Sequence, residues 1–296
     1  MINCNNTKIY ISKDTKSEVD GVPSGLVELT SVLSGYGTVR ISGLMRPKAD
    51  VNRTASAVSN TSFVDSVRVF ERNITFDIVP QGDGEEVRQA LYSILPFAQP
   101  IRLYVVTPRR SVYIDGYVEE LGGDIDEPNG DELVVPVSII CPYPWFRSTV
   151  KRELKLKAGK TIIPYDGDIP AGFELQVTTD TEPVPRIGNL TICTNDYSDP
   201  RDPFKYIGKV EVPLIRTVQG DRTFISYANI RHGGGMTVLY QPQYKTLAPD
   251  SRWVQIMPNS GRGYKDAFIK IECDSEDIPN FEKYNKLRFR DTYSGI

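Results

Sequence analysis

The single histidine, His232, stands directly before Gly233, Gly234 and Gly235. A His-Gly-Gly-Gly string can supply the backbone N–H groups of an oxyanion hole, which hold the charge of an acyl-transfer intermediate. That chemistry also needs a nucleophile on a Gly-x-Ser-x-Gly elbow and a second, catalytic histidine. The chain has neither, so the glycines read as a tight or mobile turn between strands. Cys4, Cys141, Cys193 and Cys273 are scattered, with no Cys-x-x-Cys pair. Zinc wants several Cys or His ligands at defined spacing, and this set does not supply them. No segment brings a cysteine to His232 as a nucleophilic pair. The cysteines read as small buried residues or free thiols rather than a disulfide framework. Residues 124–132, DIDEPNGDE, resemble a calcium loop only superficially. Its fifth and sixth positions need Asp or Asn and then Gly, and here hold Pro128 and Asn129. Carboxylates are many, but no motif singles out a pair for glycoside hydrolysis. No enzyme, cofactor or metal site is therefore expected.

Charge is more informative than any catalytic motif. From Ser111 to Phe146 there is no Lys or Arg, while Asp115, Glu119, Glu120, Asp124, Asp126, Glu127, Asp131 and Glu132 accumulate. This is either a solvated hairpin tip or a surface that repels nucleic acid, such as the wall of a DNA-conducting channel. The second half of the chain is rich in tyrosine. Trp253 and Tyr240 are candidates for stacking on a glycan or touching a partner, against the alternative of ordinary core.

The elements that position these residues are mainly strands. Ile74, Phe76 and Ile78 alternate with polar residues. So do Ile101, Leu103 and Val105, and likewise Leu133, Val135, Val137, Ile139 and Cys141. A period of two marks half-buried strands. Thr107-Pro108-Arg109-Arg110 predicts a turn into a strand at 112–118. One helix is predicted over 83–95. Asp83 is its N-cap, Glu86 completes a capping box, and Val87, Leu91, Ile94 and Leu95 form one apolar face before Pro96 stops it. The polar stretch 46–60 has no clean period. It is expected to be a long loop, either a mobile surface loop or an arm onto a neighbouring subunit, with Arg46, Pro47, Lys48 and Arg53 as contact candidates.

With 296 residues, two domains are expected. The boundary falls near Pro142-Tyr143-Pro144-Trp145-Phe146, giving 1–150 and 151–296. The first reads as α+β, one short helix on an antiparallel sheet. The basic run Lys151, Arg152, Lys155, Lys157 and Lys160 reads as a solvated linker. Beyond it, short strands are expected at 173–178, 189–194, 210–213, 222–227, 236–240, 253–257, 267–273 and 286–289, suggesting a sandwich or jelly roll. The fold class is mainly β. The net charge of −3 does not suggest a nucleic-acid binder. No apolar run reaches the roughly 20 residues of a membrane span, and the polar N-terminus is not a secretory signal, so synthesis and folding in the cytoplasm are expected.

Several segments in order resemble one family. Gly37-Thr38-Val39-Arg40-Ile41-Ser42-Gly43 is similar to its glycine-led strand, and Glu71-Arg72-Asn73-Ile74-Thr75-Phe76 to its next strand. The helix, the 101–118 hairpin with Tyr113-Ile114-Asp115-Gly116, and the ending Cys141-Pro142-Tyr143-Pro144-Trp145-Phe146 follow in the same order. Across about residues 35–147 the chain resembles the distal tail, or baseplate hub, proteins of long-tailed bacteriophages. Arg186-Ile187-Gly188-Asn189-Leu190-Thr191-Ile192 is similar to the first strands of that family's galectin-like or carbohydrate-module-like sandwich. The turn Pro258-Asn259-Ser260-Gly261 departs from the family's Pro-Gly-Asn pattern.

The resemblance implies a virion protein of the phage tail tip, made in the host bacterium, that forms a hexameric ring. The tail tube and tape-measure protein would lie on one side, the tail-associated hub or lysin on the other. Receptor-binding proteins, or cell-surface carbohydrate, would meet the second domain. No membrane partner is implied. A baseplate component of a contractile tail or tailocin, and a carbohydrate-binding protein without a tail role, are the alternatives.

Overall fold

The computed structural model describes residues 6–16, 20–55, 62–80, 84–122, 134–155, 159–169, 171, 173–176, 189–193, 209–219, 222–230, 236–238, 245–246, 268–273 and 286–296. The chain is mainly β and divides into two compact units, one made of Met1–Val150 with Tyr293–Ile296, the other of Lys151–Thr292. The last four residues, expected with the second domain, belong to the first unit. The second unit is thus an insertion, entered after Val150 and left before Tyr293.

The first unit runs β1 (Lys8–Ser12), β2 (Val27–Glu28), β3 (Tyr36–Ser42), β4 (Ala49–Ala55), β5 (Ser62–Val69), β6 (Arg72–Pro80), α1 (Gly84–Ile94), β7 (Pro100–Val106), β8 (Ser111–Leu121), β9 (Val135–Cys141) and β10 (Phe146–Ser148). Seven of these form one path, in the order β2-β1-β7-β8-β9-β6-β3, with β10 pairing to β8 off the path. The pairings along the path are antiparallel. Alternation decides which side chains go inward. Ile74, Phe76 and Ile78 of β6, Ile101, Leu103 and Val105 of β7, and Val135, Val137 and Ile139 of β9 are all buried. Leu91 and Leu95 lie in that core with them, and Ile94 packs against it. That arrangement uses the predicted apolar stripe of α1; Asp83 and Leu133 lie outside the described residues. β1 escaped the sequence reading, although Ile9 and Ile11 alternate in Lys8-Ile9-Tyr10-Ile11-Ser12 and are buried.

β7 departs from simple alternation. Arg102 and Tyr104 point away from the core yet are also buried. Their own partners, described below, cover them.

In the stretch 46–60, residues 49–55 form a strand rather than the expected loop, and residues 56–60 lie outside the described residues. β4 pairs antiparallel with β5 from Ala49↔Val69 to Ala55↔Ser62, with a register shift between Asn52 and Arg53. Among the described residues this two-stranded ribbon joins no other sheet. Small and polar residues hid the period in β4, but cross-strand bonds such as Asn52 Nδ2 to Ser66 Oγ at 2.9 Å and Thr54 Oγ1 to Asp65 support the pairing.

The described part of the basic run after 150 is likewise not a linker. β11 (Arg152–Lys155) and β12 (Gly159–Ile162) are strands, followed by β13 (Phe173–Gln176), β14 (Asn189–Cys193), β15 (Lys209–Gln219), β16 (Arg222–Ile230), β17 (Met236–Val238), β18 (Lys245–Thr246), β19 (Phe268–Cys273) and β20 (Lys286–Phe289). They make a sheet β11-β20-β13-β18 and a sheet β12-β19-β14-β15-β16-β17. Opposite charges across the strands make the basic run compatible with pairing. Arg288 meets Glu153 at 2.8 Å, in register, and Arg152 meets buried Asp291 at 2.8 Å. Ile163, Ala171, Phe173, Leu287 and Phe289 are buried in this unit. The strand expected at 253–257 lies outside the described residues.

Candidate functional site

The first unit offers three groups of polar side chains, and each traces back to the phase of a strand. The most enclosed is Arg72. It shares the inward phase of Ile74, Phe76 and Ile78, so its guanidinium enters the protein rather than solvent. No carboxylate among the described residues meets it there. Nε donates to Pro144 O at 2.8 Å, Nη2 to Ser294 O at 2.7 Å, and Nη1 to the carbonyls of Gly43 and Met45. The ring of Phe146 lies 4.5 Å from the guanidinium carbon. Burial pulls its pKa down to about 10. Four of its five N–H groups thus collect carbonyls from three stretches of chain. Gly43 has φ near +79°, and a Cβ there would collide with the backbone of Asn73, so only glycine fits beside the clasp. The C-terminal residues are held by the same device. Arg110 lies 4.2 Å over the Tyr293 ring and reaches Gly295 O at 3.3 Å, and Ile296 N donates to Leu44 O at 3.2 Å. Beside Arg72, Cys141 is a buried free thiol whose pKa burial pushes up to about 12. Such a thiol is a packing residue, not a nucleophile.

The second group lies on the outer face of the sheet. On β8, Val112, Ile114 and Val118 turn inward, and Tyr113, Asp115, Tyr117 and Glu119 turn outward. Arg102 grips Asp115 with two bonds, Nε to Oδ1 at 2.6 Å and Nη2 to Oδ2 at 3.0 Å. It also donates to Thr15 O at 2.5 Å and lies 4.3 Å over the ring of Tyr113, which pairs with Tyr104. Burial works against the Arg102 charge, but the Asp115 carboxylate outweighs it and raises the arginine pKa. Asp115 is therefore spent on an internal ion pair and adds little to an acidic surface. Glu119 and Glu120 are exposed. Ser138 Oγ lies 3.0 Å from both Glu119 Oε2 and Asn73 Oδ1, and its single proton serves one at a time. Asp124, Asp126, Glu127, His232, Tyr240 and Trp253 lie outside the described residues. Among the described residues no group of three His, Cys, Asp or Glu is placed to hold a metal ion, and no helix is long and apolar enough to cross a membrane.

The third group is the β4–β5 ribbon, called the arm below. Arg46 and Lys48 are exposed at its base, Pro47 is half-buried, and Arg53 is exposed on β4. Alternation puts Ala49, Val51 and Arg53 on one face with Val64, Val67 and Val69 opposite them. Val64 is 58% exposed and Val67 62%. Among the described residues, the arm candidates are not brought together with Asp115, Glu119 and Glu120 into one site. Sequence reasoning missed Arg72, although its place in the buried phase of β6 was the available signal.

With this architecture in hand, the whole chain can be compared with solved structures. The Dit protein of phage SPP1, described as a paradigm of the hub adsorption apparatus in phages infecting Gram-positive bacteria, superposes with a TM-score of 0.56 at 12% identity, over 97% of this chain and 98% of that one. The chain has the Dit fold. Two structures of the phage p2 baseplate in its activated conformation, with calcium and with strontium, align at TM-scores of 0.48 and 0.46. Identities are 8% and 10%, over 96% of this chain and 98% and 97% of theirs. No family model and no curated relative matches the sequence. A Dit-fold chain at 12% identity shares architecture rather than side chains, so the Arg72 clasp and the arm must be argued from this chain alone.

Proposed function

We propose that the protein is a structural component of a phage tail tip, a baseplate hub that joins the tail tube to the host-attachment apparatus. The observation that carries this reading is the likeness to the SPP1 Dit protein over nearly the full length of both chains, two units included. A shared single domain would say less, since one fold serves many roles. The first unit is the ring-forming part, most naturally a hexamer, and the inserted second unit is the part that meets receptor-binding proteins or cell-surface carbohydrate. The tube and tape-measure proteins lie on one ring face and the tail-associated hub or lysin on the other. No catalytic step is assigned to it. An arm that projects with its valines uncovered suits a subunit that completes itself on a neighbour.

Native mass by light scattering with negative-stain imaging tests the proposal. Ring-shaped particles near six chains support it. A chain that stays single, is absent from purified virions, and binds glycans would replace it with the carbohydrate-binding alternative.

A further inference from the structure

An insertion places a constraint on the unit that carries it. A folded insertion fixes the separation of its own ends. An unfolded one favours ends far apart, because closing a long loop costs entropy that grows with its length. The first unit therefore stays closed through an opening of the second only if it grips both chain crossings itself.

Its own groups do so. On the entry side, β10 pairs with β8 through Arg147↔Tyr113 and Ser148↔Val112. Thr149 extends that pairing. Its N–H donates to Ser111 O at 3.0 Å, its Oγ1 lies 3.0 Å from Ser111 Oγ, and its carbonyl accepts from Gly21 N at 3.1 Å. On the exit side, the Tyr293 ring lies 4.2 Å from the Arg110 guanidinium carbon, which also brings a donor to Gly295 O. Arg110 and Ser111 are consecutive, so one short stretch of chain receives both crossings. Arg72 joins the crossings directly. Its Nε donates to Pro144 O on the entry side, where the wholly buried Phe146 ring lies against the guanidinium. Its Nη2 donates to Ser294 O on the exit side. The bonds from Nη1 to the carbonyls of Gly43 and Met45 fix the same group to the chain just after β3. Only a fork with several donors in fixed geometry can hold carbonyls from separate stretches at once, and arginine carries that fork.

We infer that Arg72, seconded by Arg110, is a latch between the two chain crossings that keeps the first unit closed while the second unit opens. A rearrangement of the second unit on contact with a partner then leaves the sheet of the first intact. This role is independent of the tail-tip reading, since it concerns one chain alone.

Hydrogen exchange on the full chain tests it. Thr149 and Ile296 report on the two crossings, because their N–H groups bond Ser111 O and Leu44 O. Phe173 and Leu287 are buried in the second unit, so Phe173→Ala with Leu287→Ala loosens that unit. Amides of β13 and β20 should then exchange at least about a hundredfold faster, while Thr149 and Ile296 stay within about threefold of wild type. If β13 stays protected, Phe289→Ala is added. Arg72→Met in the loosened chain should quicken Thr149 and Ile296 at least about tenfold more than it does beside an intact second unit, where the folded insertion still holds the ends. Thr149 and Ile296 that quicken in step with β13 while Arg72 is present overturn the latch. So does quickening of the β7 amides in the loosened chain, since the first unit then opens with the second. An Arg72→Met effect of equal size in both backgrounds also overturns it and leaves Arg72 as a local tie on the C-terminal residues. If Arg72→Met does not fold, Arg110→Gln takes its place in both backgrounds, with the same expected and overturning results.

Discussion

β5 and β6 are consecutive strands separated only by Phe70 and Glu71, and both are rich in β-branched residues. In β6 the apolar phase is fully buried. In β5 no described side chain is buried. The difference comes from neighbours, not from intrinsic preference. β6 sits between β3 and β9, and Leu91 of α1 with Leu95 just after it joins the core that covers its inner face. β5 has β4 alone. Strand preference is thus a local property, whereas burial is decided by what the rest of the fold lays on top. If this contrast is right, truncating the two strands must have very different costs. Phe76→Ala removes a ring from the centre of the core and should destabilise the chain by about 3–5 kcal/mol. Thermal or denaturant unfolding measures it. A loss near zero would mean that the sheet is not the stabilising core.

Next in size is the clasp at the start of β6. Arg72→Met keeps much of the aliphatic bulk but leaves four carbonyls without their donor. Unsatisfied buried acceptors cost on the order of 1–3 kcal/mol each before relaxation, and relaxation offsets part of that. A net loss of about 3 kcal/mol is expected. Hydrogen exchange at Ile296, whose N–H bonds Leu44 O, should quicken far more than exchange along β7. Equal quickening in both places would show that Arg72 supports the sheet as a whole and does not tie down the C-terminus in particular.

The contrast also explains what could be read from the residues. The core strands β6 and β7, the residues of β9 from Val135 on, and the helix stripe were legible because alternation and a 3.6-residue period record burial directly. β4 was not, because an exposed ribbon has no reason to alternate apolar with polar residues. Ala49, Asp50, Asn52 and Thr54 read as loop composition, and their strand is made by pairing with β5. β11 was hidden in the same way, by charges that only pairing with β20 explains. Asp115 was legible as acidic, but its neutralisation depends on Arg102, thirteen positions earlier on the neighbouring strand. The return of Tyr293–Ile296 to the first unit rests on contacts with Leu44, Arg72 and Arg110, far away in the sequence, and no local pattern encodes it.

A smaller effect is expected on the outer face. Asp115→Asn keeps the shape but removes the charge that holds Arg102. Arg102 is mostly enclosed and Asp115 about two-fifths exposed, so solvent screens part of the loss. A cost of about 1–2 kcal/mol follows, below that of an ion pair broken in the interior. Since the carboxylate is what raises the arginine pKa, Asp115→Glu should recover less than full stability if the bidentate geometry matters as well as the charge. A melting series of the Asp, Asn and Glu forms separates the two contributions. Equal stability in all three would show that the stack on Tyr113, rather than the carboxylate, holds Arg102.

The smallest effect on the isolated chain belongs to the arm, and it completes the contrast with β6. Val67→Ala removes two methyl groups from a side chain that its own chain leaves open, so unfolding of the single chain should change by no more than about 0.5 kcal/mol. The same substitution acts on a different equilibrium if the valine stripe is covered in the assembly. There each methyl group withdrawn from a buried contact lowers the association, while the melting point of the dissociated chain stays fixed. Measuring both on one preparation, mass against concentration and unfolding under dissociating conditions, separates a strand that stabilises its own fold from one kept for a neighbour. A Val67→Ala chain that melts as early as Phe76→Ala would place the arm in its own core and remove the contrast between β5 and β6.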